Sequence, residues 1–267
     1  MAKNTLLLYF RMAITMLVSV YTSRVVLYTL GIEDFGIHNV VGGVVAMFVF
    51  LNGAMLSCTQ RYITFALGKG DMENLKKVFS NSVVIHTLIA ILVVILAETV
   101  GLWFLYNKLI IPEARFTAAF WVFQCSLITL VIGLVSSPFN SLIVAHEKMG
   151  IYAYVSIAEA VLKLAVCFAI MAFDGDRLIL LAILHVAVAL SIRLFYAWYC
   201  GKHFEEAHYT AKVFDKGLLK ELTYFSGWNL VNNGAYTFAT QGVNMLVNVF
   251  FGVPFNAARG IANQVNS

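Results

Sequence analysis

The sequence predicts an all-α fold, a polytopic bundle of transmembrane helices, on two observations. Hydrophobic residues make up 61% of the 267 and charged residues only 12%, with a mean hydropathy of +0.83, far outside the averages of soluble domains. The apolar residues also fall in runs of about 17 to 25, the helix length that a bilayer core of about 30 Å requires. An outer-membrane barrel would show alternating segments of about ten residues, so the runs read as helices.

Seven such runs follow one another, near Leu6 to Leu27, Ile37 to Cys58, Val83 to Leu105, Phe116 to Val144, Ile151 to Phe173, Leu178 to Tyr199 and Gly227 to Phe251. The first has no small-residue cleavage site behind it and leads into six more, so it is expected to stay as an anchor. Pro138 in SSPFNS is expected to kink the fourth run. The seventh is the most polar, with Asn229, Asn232, Asn233, Gln241, Asn244 and Asn248 available to line a cavity or to bond neighbouring helices. An eighth run begins near Asn256. Cys58, Cys125, Cys167 and Cys200 show no metal-ligand spacing and read as small apolar fillers. His203 and His208 in HFEEAH stand five apart, not the four of a zinc-binding helix, and read as a solvated loop. No cofactor or metal is expected, although coupling to H⁺ or Na⁺ is compatible with the sequence.

Charge sets the orientation. With the N-terminus in the cytoplasm, the inner segments carry Lys3, Arg61, Lys69, Lys76, Lys77, Lys148, Lys202, Lys212, Lys216 and Lys220. The outer loops carry only Lys108, Arg115 and Arg177, and the first of them, YTLGIEDFGIHN, has two acids and no base. This asymmetry follows the positive-inside rule. The net charge of +4 is thus a matter of topology and anionic lipid; no nucleic-acid motif is present.

The inner connection KVFDKGLLKELTYF places Phe214, Leu218, Leu222 and Phe225 at helical spacing, with Lys212, Lys216 and Lys220 every four residues, as an interfacial amphipathic helix does. It lies where a two-lobed transporter carries its linker, which directs attention to internal repeats. Residues 24–44 align with 245–265: Gly31 meets Gly252, Val26 meets Val247 and Val44 meets Val265, and both segments join one apolar run to the next. The expected organisation is a six-helix lobe over 1–200, a cytoplasmic amphipathic linker over 201–226, and the start of a second lobe over 227–267. The chain is then expected to hold one complete lobe and the first helix and a half of its partner.

LGIEDFG (30–36) and NGAMLSCTQRYITFALGKGD (52–71), with HEKM (146–149) and GVPFNAARGIANQV (252–265), resemble the signature of the polysaccharide transporters, or oligosaccharide flippases, of the multidrug/oligosaccharidyl-lipid/polysaccharide exporter superfamily. The resemblance covers nearly the whole chain and is more specific for the superfamily than for a substrate. It implies a MATE-like pair of six-helix lobes, alternating access, and export of a lipid-linked oligosaccharide across a bacterial inner membrane for surface polysaccharide or lipopolysaccharide. The partners it implies are membrane lipid, that substrate and the polysaccharide polymerase and assembly machinery. The chain is roughly half the length that such a fold requires.

Charges at membrane depth cost about 2.5–3.5 kcal/mol each on insertion scales, so each one retained needs a partner, a wet cavity or an escape to the interface. Glu159 and Lys163 stand four apart in the fifth run, either lining a cavity for an anionic head group or neutralising each other. Arg24 shares a helical face with Tyr21 and Tyr28; it either snorkels to an aromatic belt or, as the resemblance implies, holds a pyrophosphate while the rings pack on sugar or lipid. Arg61 and Arg193 are further candidates for the substrate, although, like Arg11, their positions near inner ends also suit topology-setting. Arg259 would face the cavity from the second lobe if the repeat holds. Glu98, in AETVGLW, has no basic residue within a turn, so it is a coupling-ion candidate beside Glu159, or else a partner of Arg24.

Three functions compete. A flippase for a polyprenyl-pyrophosphate oligosaccharide suits an excess of basic groups in the spans. A cation-coupled multidrug exporter on the same scaffold would rest on the carboxylates. A membrane enzyme that polymerises the exported sugar usually needs a substantial outer loop, and the longest here is about ten residues; no enzyme is expected.

Overall fold

A computed structural model describes residues 2–207, 215–251 and 253–266, and they form an all-α bundle. The helices are α1 (Ala2–Ala46), α2 (Val49–Lys69), α3 (Met72–Leu96), α4 (Leu102–Asn107), α5 (Phe116–Ala145), α6 (Met149–Met171), α7 (Arg177–His203), α8 (Lys216–Phe251) and α9 (Val253–Asn266). His208, Lys212, Phe214 and Gly252 fall outside the described residues, as do the side chains of Asn229, Asn232, Asn233 and Val265.

At 1.5 Å per residue a straight α1 would be about 68 Å long, more than twice a bilayer core. It breaks at Gly31, where φ is 79° and ψ is 173°, a conformation essentially closed to residues with a side chain. The first run is thus the arm 2–30. The second is the arm 32–46 continued through a turn at 47–48 into α2, so the predicted span from Ile37 to Cys58 straddles a joint. In the third run a π-helical turn, Ala97–Gly101, joins α3 to α4. There a Cβ on Gly101 would stand 3.0 Å from the Phe123 ring, so glycine lets α5 approach. Pro138 is accommodated inside α5.

Five stretches are long and apolar enough to cross a bilayer: Leu7–Ala46, Met72–Asn107, Glu113–Ala145, Met149–Met171 and Arg177–His203. The sequence suggested seven. The first stretch contains two arms, and α8 is too rich in amide side chains to qualify by composition. α8 also carries the amphipathic segment and the seventh run on one axis, with Leu222 buried against Met55 and Cys58.

α5 packs along α7, α1 along both α6 and α9, and α2 along α8. One core gathers Ile37, Val41, Val93, Phe123, Leu134 and Leu178; a second, at the Gly70 end, gathers Ile63, Leu75, Phe79, Leu142 and Cys200. At the Gly31 end three connections are tied by one guanidinium. Arg115 donates to Asp34 at 2.7 and 2.5 Å and to Asp176 at 2.8 and 3.2 Å. Asp176 also caps α7 by accepting from the N–H groups of Leu178 and Ile179. Partial burial pushes its carboxyl up, but the Arg115 hydrogen bonds and those N–H groups outweigh it and hold the group below the usual carboxylate range.

Candidate functional site

A cavity of about 730 Å³ is lined by both arms of α1, by α5, α6 and α7, and by Val49 at the start of α2. Each wall is a helical stripe. On the first arm of α1 it runs Arg11, Thr15, Ser19 and Thr22 at steps of three or four, with Ser23 beside Thr22, which is one face of a 3.6-residue helix. Thr15 and Ser23 satisfy their own hydroxyl donors by bonding Arg11 O and Ser19 O one turn back, whereas the Thr22 hydroxyl is buried without a partner. The second arm adds His38, Asn39 and Gly42, α5 adds Cys125, Ser126 and Thr129, α6 adds Ser156, Glu159 and Lys163, and α7 adds His185.

Glu159 and Lys163 are paired at 2.7 Å with side chains 40% and 47% exposed. An (i, i+4) pair so open contributes about 0.3–0.5 kcal/mol, against about 2.5–3.5 kcal/mol for each charge inserted in hydrocarbon. Pairing alone therefore does not account for keeping these charges in a span; the cavity does, because it gives both heads a polar space. From α1, Arg11 reaches α6, where it lies over the Tyr152 ring at 4.7 Å and donates to Ser156 Oγ at 3.3 Å. Its Nε is buried without a partner and no carboxylate pairs with it among the described residues. The cavity's fixed charges are thus Arg11 and Lys163 against Glu159, one positive charge in excess. His38 and His185 face each other with ring centroids 6.0 Å apart and planes inclined by 55°.

The other candidates are dispersed. Arg24, Tyr21 and Tyr28 lie on the opposite face of α1, exposed, Tyr28 by 84%. Arg61 is exposed and rests over Phe225 at 4.8 Å. Arg193 lies over Phe139 at 4.2 Å, with Nη1 buried and unpartnered. Arg259 donates through Nε to Asn244 Oδ1 at 2.5 Å, and Asn244 donates to Gln241 at 2.7 Å, so this arginine belongs to a polar string on α8 and α9. Asn248 accepts from the Ile110 N–H at 3.0 Å, the neighbour-bonding use of a span asparagine. Glu98 is half-buried in the π-helical turn, and no described group, Arg24 included, pairs with it. Of the predicted site residues, the structure brings only Lys163 and Glu159 to the cavity.

Arg11, His38 and His185 line it as well. Arg11 was read as a topology charge, and the histidines carried no motif. The signal that could have found them is the Thr/Ser stripe of α1, which marks the wet face of an otherwise apolar helix.

No protein-family model matches the sequence, and no curated protein matches it either. Among solved structures, a multidrug resistance MATE family transporter of the MOP superfamily, in its inward-facing conformation, superposes with a TM-score of 0.79 at 14% identity, over 96% of this chain and 60% of that one. A second solved chain superposes with a TM-score of 0.81 at 16% identity, over 99% of this chain and 59% of its own. The chain therefore spans about 60% of the length of the proteins whose fold it shares.

Proposed function

We propose that the chain is part of an alternating-access membrane transporter that flips an anionic, lipid-linked cargo, a polyprenyl-pyrophosphate oligosaccharide, without covalent chemistry. The observation that carries this reading is the cavity's uncompensated positive charge: Arg11 on α1 and Lys163 on α6 stand on separate walls, with Glu159 as their one carboxylate counterpart. A concave, low-dielectric wall of one sign concentrates ligands of the other, and a guanidinium suits phosphate oxygens.

The division into 1–200, 201–226 and 227–267 belongs to the same proposal. Positions 39 and 260 are equivalent under the alignment of 24–44 with 245–265. A Cβ on Gly260 would come within 2.6–2.8 Å of the Asn39 side chain. Equivalent residues would meet at a two-fold axis between two halves, and the packing of α9 on α1 supports that reading.

A second reading, cation-coupled multidrug efflux, is favoured by Glu159 on the cavity wall and by the name of the solved neighbour. The discriminating experiment is flipping of a fluorescent polyprenyl-pyrophosphate oligosaccharide by the protein in proteoliposomes. Arg11→Gln with Lys163→Gln is expected to lower the rate at least about tenfold, the worth of one charge-assisted hydrogen bond. An unchanged rate, with ethidium efflux abolished by Glu159→Gln, would replace the first reading with the second.

A further inference from the structure

The cavity is longer than its charges need. Along the first arm of α1 its lining runs from Arg11 to Ser23, about 18 Å of helix. The charged groups gather at the Arg11 end: Arg11 meets Ser156, Glu159 lies one turn further along α6, and the Lys163 ammonium is drawn back to Glu159 at 2.7 Å. Towards Gly31 the lining changes character. Ser23 and His38 stand at similar distances on either side of the break at Gly31, so the two arms bring them to one level, where His185 of α7 faces His38 with ring centroids 6.0 Å apart. Beyond the Lys163 ammonium, no described lining residue carries a fixed charge. Three polar groups there have nothing to bond: neither imidazole makes a hydrogen bond to any described residue, and the Thr22 hydroxyl is buried without a partner. Val26 and Ala189 beside them are apolar.

We infer that the Gly31 end of the cavity is a subsite for an uncharged sugar of the cargo, held by His38 and His185 while the pyrophosphate stays with Arg11 and Lys163. A sugar hydroxyl both donates and accepts, and a neutral imidazole presents one N–H donor and one acceptor nitrogen, so the two chemistries match. The rings come from separate helices with planes inclined by 55°, and therefore address different hydroxyls of one sugar. Val26 and Ala189 offer its C–H face an apolar surface, and an apolar wall with a few placed polar groups is how small-molecule sites fix orientation. Other parts of the cargo fit worse. A prenyl tail would leave both imidazoles and the Thr22 hydroxyl without partners, and a second anionic group would find no cation beside them.

This inference rests on the anionic-cargo reading, and the experiment separates the two. Affinities of the nanodisc-embedded protein are measured for farnesyl pyrophosphate and for farnesyl pyrophosphate carrying one N-acetylglucosamine. The wild type is expected to bind the sugar-bearing probe at least about tenfold more tightly, the worth of one or two hydrogen bonds. His38→Leu and His185→Leu, which remove the bonding nitrogens, should each bring that ratio to within about threefold of one. Because the ratio is read within each variant, a general loss of affinity cancels. A wild-type ratio near one, or a large ratio kept by both variants, would overturn the inference and leave the cargo reading standing. Variants that keep the wild-type unfolding temperature but bind neither probe would assign the rings to the anion and overturn it as well, whereas a wild type that binds neither probe would remove both readings. If one variant fails to fold, the other gives the same comparison.

Discussion

Two groups of charges sit in the same bundle and are treated in opposite ways. At the Gly31 end, Arg115 shares its full fork between Asp34 and Asp176, with side chains only 18% to 31% exposed. On the cavity wall, Glu159 and Lys163 touch through one contact and remain 40% and 47% exposed, while Arg11, against Ser156 and Tyr152 of the same helix, has no carboxylate partner among the described residues. The first group is saturated: each oxygen of its two carboxylates accepts from Arg115, and the triad ties three connections that α1, α5 and α7 would otherwise leave free to splay. The second group has spare hydrogen-bonding capacity and stands where a solute can use it. Saturation marks a structural charge, and incomplete pairing beside a polar space is what the proposed binding role requires.

Breaking the saturated group should give the largest change in stability. Arg115→Ala leaves two carboxylates without their cation and is expected to cost about 2–4 kcal/mol, the value for a broken buried pair reduced for partial exposure, read as a fall in thermal unfolding temperature in detergent. Gly31→Ala puts a side chain into a backbone conformation reserved for glycine, three residues before Asp34, and should cost about 1–3 kcal/mol. A Cβ there meets nothing within 4 Å, so the cost is conformational, and its size isolates the backbone share of the joint.

Acid sharpens the comparison further. Because the Asp176 carboxyl is held below its ordinary range in the folded protein, it contributes stability that is fully present above the unfolded value of about 4 and is lost as pH falls through the lower folded value. Unfolding temperature should drop as pH falls below about 4, and Asp176→Asn should flatten that limb; a limb unchanged by the substitution would show that other carboxylates dominate it. The smallest effect belongs to the cavity: Glu159→Gln with Lys163→Gln should alter stability by less than about 0.5 kcal/mol. A loss as large as that of Arg115→Ala would mean that the cavity pair is also structural.

Much of the fold was legible. Run lengths located the helices, the loop YTLGIEDFGIHN holds the break at Gly31, and Asp176 stands where an N-cap belongs, ahead of an apolar run. The site was legible only in part, for a physical reason. In a water-soluble helix the polar face is the outer one, but lipid and protein core are both apolar, so periodicity does not say which side of α1 turns inward. Arg24 with its two tyrosines and Arg11 with its Thr/Ser stripe look equally placed in the sequence; packing of α1 on α6 and α9 chooses the latter face for the cavity. Glu159 and Lys163 were found because an acid and a base one turn apart inside a span are conspicuous. His38 and His185, 147 positions apart, become neighbours only through tertiary contact.

The claim that an anion is held by Arg11 and Lys163 is tested most directly by the affinity of the nanodisc-embedded protein for farnesyl pyrophosphate. Arg11→Gln with Lys163→Gln should weaken it at least about tenfold, while Arg24→Gln, on the far face of the same helix, leaves it unchanged. A loss of binding in Arg24→Gln with full affinity in the double variant would contradict the account and move the site to the other side of α1.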